Sequence, residues 1–463
     1  MAAKARALAV YVHWPFCSRI CTYCDFVKYP AIKQPAWFRG AGRGADPTHD
    51  EVLQAYRRQL TQLVQQLPSP NTQRQLTSLY FGGGTPSLMS PSLLRRLVDL
   101  VYTMFPPSSH PVEITLEANP DNITRDTLAR WQTAGINRLS IGVQAIRDPL
   151  LQALGRQHSA EVALRVVKQA QDVFGSTGVS LDLMFGLPGQ ALDDWCTDLD
   201  HVLTELKPAH MSIYELTVKR GTILYHQTKL GLKVPDPDDY YFATQDICSA
   251  HGLERYEVSN YAQSPTMFSR HNMAYWRGTD YLGIGPGAVT STIDLVSRQL
   301  VLCYQAKSMY LAVPSPFKRQ PVLRYQQVHT CLLTLRDGDG CMATLRQRWR
   351  LDGMDQALIK RTMEEAVTDI VAFLCRTREP FDLAQVAAHF GVSLQPKARK
   401  ELQQLAQAGL LEYSEKIQPT AWASRFNQPI TEAGHLPASI RLTGKGLDVC
   451  NRLSTTVAEL LLV

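Results

Sequence analysis

Six short runs rich in β-branched and aromatic residues, each followed by sequence of helical period, constrain this chain more than any other feature. The runs are ALAVYVHW (7–14), TSLYF (77–81), VEITLEA (112–118), RLSIGVQ (138–144), VSLDLMF (179–185) and HMSIYEL (210–216). Amphipathic stretches over 50–67, 91–105, 125–135, 159–175 and 191–207 separate them. A strand, a long crossover and another strand make a parallel βα unit, so the repetition predicts an α/β fold of parallel strands joined by helices.

The positions of the unusual residues choose between a doubly wound sheet and a β/α barrel. GGGTP follows the second run, EANP ends the third, Gln144 ends the fourth and GLP follows the fifth. Polar or glycine-rich ends on several strands point to a site around one rim of a barrel, whereas a doubly wound sheet concentrates its site at a switch point. The expected architecture is an incomplete (β/α)6 barrel. Its rhythm stops near residue 290, so the expected division is a core over 1–300 and a smaller, mostly helical C-terminal domain over 301–463. There, 381–413 reads as helix, turn, helix, and 439–453 as a strand and a last helix, a winged-helix-like order. Its bases cluster only at Lys397, Arg399 and Lys400, so packing or partner docking suits it as well as DNA binding. No role is assigned to the glycine-rich insertion RGAGRGADPT (39–48).

Composition excludes several classes. At 463 residues, 45% hydrophobic and 19% charged, the chain is long enough for two domains and a buried core. It has ten cysteines, but most stand singly in apolar or helical sequence, which is no secreted disulfide framework. No apolar run reaches the roughly 18 residues of a membrane span. The net charge of +6 contains no dense basic block, so it is weak evidence for an anionic partner and a solvated surface explains it equally; an enzyme modifying nucleic acid is a rival class, and no nucleic-acid partner is expected. Strand-like sequence begins by about residue 8, leaving little room for a targeting peptide.

CSRICTYC places Cys17, Cys21 and Cys24 at offsets of four and three, just after Pro15. The residues leave three readings: buried cysteines on one face of a helix, a zinc site, or an iron-sulfur cluster on a short loop. Structural zinc wants four ligands, whereas a 4Fe-4S cluster on three thiolates keeps one iron open for a ligand. Phe16, Ile20, Tyr23 and Phe26 are expected to surround the thiols with apolar bulk and limit water. FGGGTP (81–86) offers a loop where a small ligand rests against backbone N–H groups without Cβ obstruction.

Through C-x3-C-x2-C the sequence resembles the radical S-adenosylmethionine (SAM) superfamily, and within it the oxygen-independent coproporphyrinogen oxidase family and its HemW-like haem chaperone branch. YVHWPFCSRICTYCDF, FGGGTPS, LEANP, NRLSIGVQ, LGRQHSAEVA, LDLMFGLPGQ, YEVSNYA, HNMAYW and GIGPGA carry the resemblance in order. It implies that Cys17, Cys21 and Cys24 hold a 4Fe-4S cluster whose open iron binds SAM, the source of a radical after one-electron reduction. It further implies that Tyr11, Tyr23, Gly83, Gly84, Thr85, Glu117, Gln144, Arg156 and Asp182 contact SAM, with the glycines at the methionine moiety, the carboxylates at ribose hydroxyls or an ammonium, and Arg156 at a carboxylate. A helix cap is the competing role for Glu117 and Asp182.

The resemblance also separates chaperone from oxidase. The oxidase carries a fourth cysteine where this chain has Phe26, and an N-terminal extension before a cluster that here begins at residue 17. Both differences imply a haem chaperone delivering haem to haem-requiring respiratory proteins; the alternative is oxidative decarboxylation of coproporphyrinogen III to protoporphyrinogen IX. His271 in HNMAYW is the candidate haem ligand, and His13 is expected to order the cluster loop. The family pattern GPGAH reads GPGAV here, with Val289 for the histidine. Haem as cargo, client proteins, peripheral membrane contact, a homodimer and a mitochondrial or cytoplasmic location complete the implied setting.

Overall fold

The computed structural model describes residues 6–30, 47–66 and 74–294 apart from 109 and 122. Beyond these it describes chiefly 299–309, 347–351, 354–358, 374–383, 397–414, 439–443 and 450–461. The glycine-rich insertion up to residue 46, and most of the first helix expected in the tail, lie outside the described residues.

All six predicted strands form: β1 (Arg6–Trp14), β2 (Arg74–Gly83), β3 (Glu113–Ala118), β4 (Arg138–Gln144), β5 (Val179–Phe185) and β6 (His210–Glu215). They pair in parallel with their chain neighbours, from β1 through β6 without reversal. A doubly wound sheet would reverse at its switch point, so this order is that of a barrel. The helices between them are α1 (Pro47–Gln66), α2 (Pro91–Met104), α3 (Arg125–Thr133), the short α4 (Asp148–Ala153), α5 (Ala160–Phe174) and α6 (Leu192–Leu206). α2 buries Leu93, Leu94, Leu97, Val98 and Val101, and α6 buries Trp195, Leu199, Val202 and Leu206, one stripe at helical spacing in each case. Each such side chain contributes about 1.5–3 kcal/mol. Ser90, Thr124 and Ser159 each accept a first-turn N–H at the N-termini of α2, α3 and α5, about 1 kcal/mol per cap.

Strand alternation divides the sheet into two chemistries. Leu79, Phe81, Ile114, Leu116, Leu139, Ile141, Leu181 and Met211 join the apolar core with the helices. The opposite face carries Ser78, Tyr80, Glu117, Ser140, Ser180, Asp182 and His210, linked across strands by hydrogen bonds such as Tyr80 to Glu117 and Ser140 to Asp182. A polar interior under a ring of strand ends is therefore built into the sequence.

The sheet extends past the six βα units. After α7 (Ile223–Lys229) and α8 (Asp238–Ala250), β7 (Glu254–Arg255) and β8 (Asn260–Ala262) add an antiparallel edge beside β6. α9 (Arg270–Trp276) then leads into β9 (Asp280–Ile284), which pairs in parallel with β1. This strand was not expected; its partner lies some 270 residues earlier, beyond the reach of local pattern. β10 (Val289–Asp294), β11 (Gln299–Met309), β12 (Gln347–Leu351) and β13 (Met354–Leu358) continue outward in antiparallel pairs. Among the described residues the sheet has 13 strands whose ends do not pair, so the barrel stays open.

At the C-terminus, β14 (Phe381–Asp382), α10 (Ala398–Gln407), β15 (Leu411–Ser414), β16 (Ser439–Leu442) and α11 (Cys450–Glu459) include a three-stranded antiparallel sheet with β16 in its middle. The strand after the helices was expected; Phe381–Asp382 and Leu411–Ser414, read as ends of helices, are strands because each pairs with β16. This region meets the core through Arg277, whose Nε donates to Glu379 Oε2 at 2.7 Å, and through Arg376 over the Trp276 ring. No described helix is long and apolar enough to cross a membrane.

Candidate cofactor site at the strand ends

The segment from Ser18 to Lys28 is a loop, not a helix, so the three thiols do not share a helical face. Phe16–Cys17 pairs with Tyr29–Pro30 and closes it into a hoop. Thr22 anchors its middle, donating from N to Leu154 O and accepting at O from Leu224 N. His13 fastens the return, with Nε2 2.8 Å from Val27 O and Nδ1 3.1 Å from the Tyr11 hydroxyl, the ordering expected of it. Cys17 is buried, whereas Cys21 and Cys24 are half-buried. Burial pushes the Cys17 thiol up to about 11, although Thr85 and Lys28 pull the other way. The Cys24 thiol is raised for the same reason.

The glycine loop clamps onto this hoop. Gly83 N donates to Glu117 Oε2, Gly84 N to Trp14 O and Thr85 N to Phe16 O. These N–H groups are thus spent inside the protein, which corrects the expectation that they meet a ligand. What the loop provides is space: a Cβ on Gly84 would stand 2.8 Å from Phe16 O and 3.0 Å from Cys17 Sγ. Gly83 has φ +113°, with the His13 ring directly against it.

The thiols open onto a cavity of about 470 Å³, also lined by Tyr23, Gly83, Gly84, Thr85, Glu117, Gln144, Arg156 and Asp182. Glu117 accepts from Tyr80 Oη at 2.9 Å and from Gly83 N at 3.1 Å; it caps no helix, and burial raises it to about 7. Asp182 is likewise no cap: it accepts from Ser140 Oγ at 2.9 Å, and burial raises its pKa. Arg156 donates to Asn119 Oδ1 and Gly142 O and lies 3.7 Å from Cys21 Sγ through Nη1. Its buried Nε has no hydrogen-bond partner among the described residues. Gln144 holds φ +69° where β4 slips register against β5, a left-handed conformation uncommon outside glycine.

Tyr11 is not on the cavity wall; its hydroxyl meets His13 and its ring lies against Gly82 and Tyr80. His271 lies apart from the cavity, 1% exposed, with Nδ1 3.0 Å from Ser78 Oγ and Nε2 2.9 Å from Tyr275 Oη. Burial lowers its pKa to about 3. Both ring nitrogens are engaged, so this geometry offers no support for the haem-ligand expectation. Phe26 departs from its expected place around the thiols: it is 64% exposed, at the cavity mouth, because the hoop turns it outward. Val289 packs with Ala9, Ala274 and Tyr281, an apolar cluster that suits valine. Sequence reading missed Asn119, Ser140 and Tyr80 as partners of Arg156, Asp182 and Glu117. Their signal was present, since Asn119 lies in EANP while Tyr80 and Ser140 fall on the inward alternation of their strands.

The profile of the radical SAM superfamily matches residues 11–202. Mouse radical S-adenosyl methionine domain-containing protein 1, mitochondrial, is 41% identical over 62% of this chain and 61% of its own length. The haem chaperone HemW of Bacillus subtilis is 36% identical over 60% of this chain and 70% of its own. The chain belongs to the HemW family of radical SAM proteins. Against the first mammalian relatives it spans 61% of their length. Escherichia coli coproporphyrinogen III oxidase covers 99% of this chain and 91% of its own length at TM-score 0.65 and 19% identity, a likeness of fold.

A radical SAM domain implies a 4Fe-4S cluster and SAM. The residues present fit both. Three thiols face one cavity, Gly84 leaves Cys17 Sγ uncovered, and the orphaned Arg156 Nε awaits an acceptor. Among the described residues no three His, Cys, Asp or Glu side chains converge on a single-ion site. A cluster instead divides its thiolates among separate irons.

Proposed function

We propose that this chain is a haem chaperone that holds a 4Fe-4S cluster on Cys17, Cys21 and Cys24, binds SAM in the same cavity, and carries haem to haem-requiring respiratory proteins. The observation that carries the reading is the convergence of those thiols with eight of the nine residues expected to contact SAM. The cluster and SAM together supply one-electron reductive chemistry when bound. Gly83 and Gly84 leave room for a methionine moiety, Glu117 and Asp182 accept from hydroxyl or ammonium donors, and Arg156 offers its free Nε to a carboxylate. Tyr23 and Met184 limit water at that wall.

The names of the relatives support haem as the cargo and a mitochondrial location. We divide the chain into a core over 1–300 and a C-terminal domain over 301–463. Peripheral membrane contact has support in α7 and the turn after it. Ile223, Leu230 and Leu232 are exposed there beside Lys219, Arg220, Lys229 and Lys233, with no acid from 216 to 235.

Anaerobic reconstitution is expected to incorporate iron and sulfide in the wild type and to fail in a triple Cys→Ala variant. Saturable haem binding, read from the Soret band, is expected without formation of protoporphyrinogen. Conversion of coproporphyrinogen III by the loaded protein would instead establish the oxidase.

A further inference from the structure

The run LGRQHSAEVA (154–163) is only half used by the cofactor site: Arg156 lines the cavity and His158 does not. His158 is nonetheless buried, in the turn just before α5. Its Nε2 lies 3.3 Å from Val143 O, and a carbonyl only accepts, so Nε2 carries the hydrogen and donates. Its Nδ1 makes no hydrogen bond among the described residues, and Asp121 Oδ1 stands 3.5 Å from it.

Val143 O belongs to the strained backbone around Gln144. It also accepts from Ala145 N at 2.9 Å, closing a three-residue turn on Gln144 at φ +69°. A turn of that size with a positive φ at its centre is rare and strained, and it persists only where its surroundings hold it. β4 slips register at the same place: Gly142 pairs with Asp182 and Gln144 with Leu183, so Val143 is the extra residue of a bulge. The bulge re-aims the side chain that follows. Gln144 folds back over Gly142, where a Cβ would stand 2.7 Å from Gln144 Nε2 and 3.2 Å from Arg156 Nη2. The amide and the guanidinium thereby share one stretch of cavity wall.

We propose that His158 is a positioning residue for SAM: its Nε2–H holds Val143 O, which keeps the strained turn closed and Gln144 aimed into the cavity. This rests on the SAM-binding reading above and adds a residue that does not itself line the cavity. Without that donor the turn relaxes towards ordinary extended backbone, and Gln144 leaves the wall. A histidine that only fastened the turn before α5 would affect stability and would not act through Gln144.

The test is equilibrium dialysis of SAM against the full chain carrying a reconstituted cluster, with iron content and far-UV circular dichroism as controls. His158→Asn, polar but too short to reach Val143 O, is expected to weaken SAM binding about tenfold, and His158→Gln, whose amide reaches as far as Nε2, to stay within about threefold of wild type. On a Gln144→Ala background His158→Asn is expected to add less than about twofold, since the side chain it positions is gone. Wild-type affinity in His158→Asn, or its full loss repeated on the Gln144→Ala background, overturns the positioning role and leaves SAM binding standing. Should His158→Asn lose its fold or its cluster, His158→Gln decides: near-wild-type affinity supports the role, and a loss of about tenfold overturns it. A wild type that takes up iron and sulfide but no SAM overturns the reading on which the role rests.

Discussion

Glu117 shows how a single buried group couples the site to stability. Burial raises its carboxyl from 4.5 to about 7, so the folded state holds that proton more tightly than the unfolded chain. Its contribution is fully present below about pH 4.5 and is lost as pH rises through 7, an effect of about 3 kcal/mol. His13 and His271, lowered by burial to about 4 and 3, act in the opposite direction. The comparison must therefore be a difference between proteins. Glu117→Gln minus wild type should show a melting-temperature gain that grows from pH 5 to pH 8; a flat difference would show that Glu117 is not held protonated. His271 teaches the complementary lesson. Its motif suggested a ligand, but Ser78 and Tyr275 satisfy it in the interior, and their proximity depends on a strand some 190 residues away.

At the level of elements, the cysteine hoop and the glycine loop work as one unit. Gly84→Ala would drive a methyl group against Phe16 O and Cys17 Sγ. Neither backbone nor thiol can yield cheaply, so cluster content after reconstitution should fall severalfold while secondary structure, read by circular dichroism, is kept. The turn after α7 supports a different prediction. Leu230 is 89% exposed, with Leu232 and four bases nearby. Leu230→Glu/Leu232→Glu should reduce co-sedimentation with anionic phosphatidylserine vesicles at least fivefold, since it removes apolar insertion and reverses charge together. Equal sedimentation of variant and wild type would remove membrane contact from the functional reading. The six parallel strands and the five long helices between them were legible in sequence because each buries one face at a fixed period, whereas the short α4 and the helices α7, α8 and α9 after β6 were not read. Two of the tail's three short strands, Phe381–Asp382 and Leu411–Ser414, were not legible, since two or four residues carry too little periodicity to outweigh the neighbouring helical pattern.

Across the whole molecule, α9 joins the barrel to the C-terminal region. Glu113 accepts from the first N–H groups of α9, while Arg277 at its other end pairs with Glu379. The Arg277 pair is partly exposed, so Glu379→Ala should cost only about 1 kcal/mol in chemical denaturation. A loss of several kcal/mol would mean that the two regions unfold as one cooperative unit through that contact. The sequence alone determined the parallel βα order, the polar and glycine-rich strand ends and the trio of thiols, because strand pattern and residue spacing are local properties. Only the tertiary structure decided that β9 closes on β1, that Arg156 reaches Cys21, that Tyr11 and His271 sit away from the cavity, and that Phe26 stands at its mouth. Those outcomes depend on which distant segments meet when the core packs, and no local pattern carries that information.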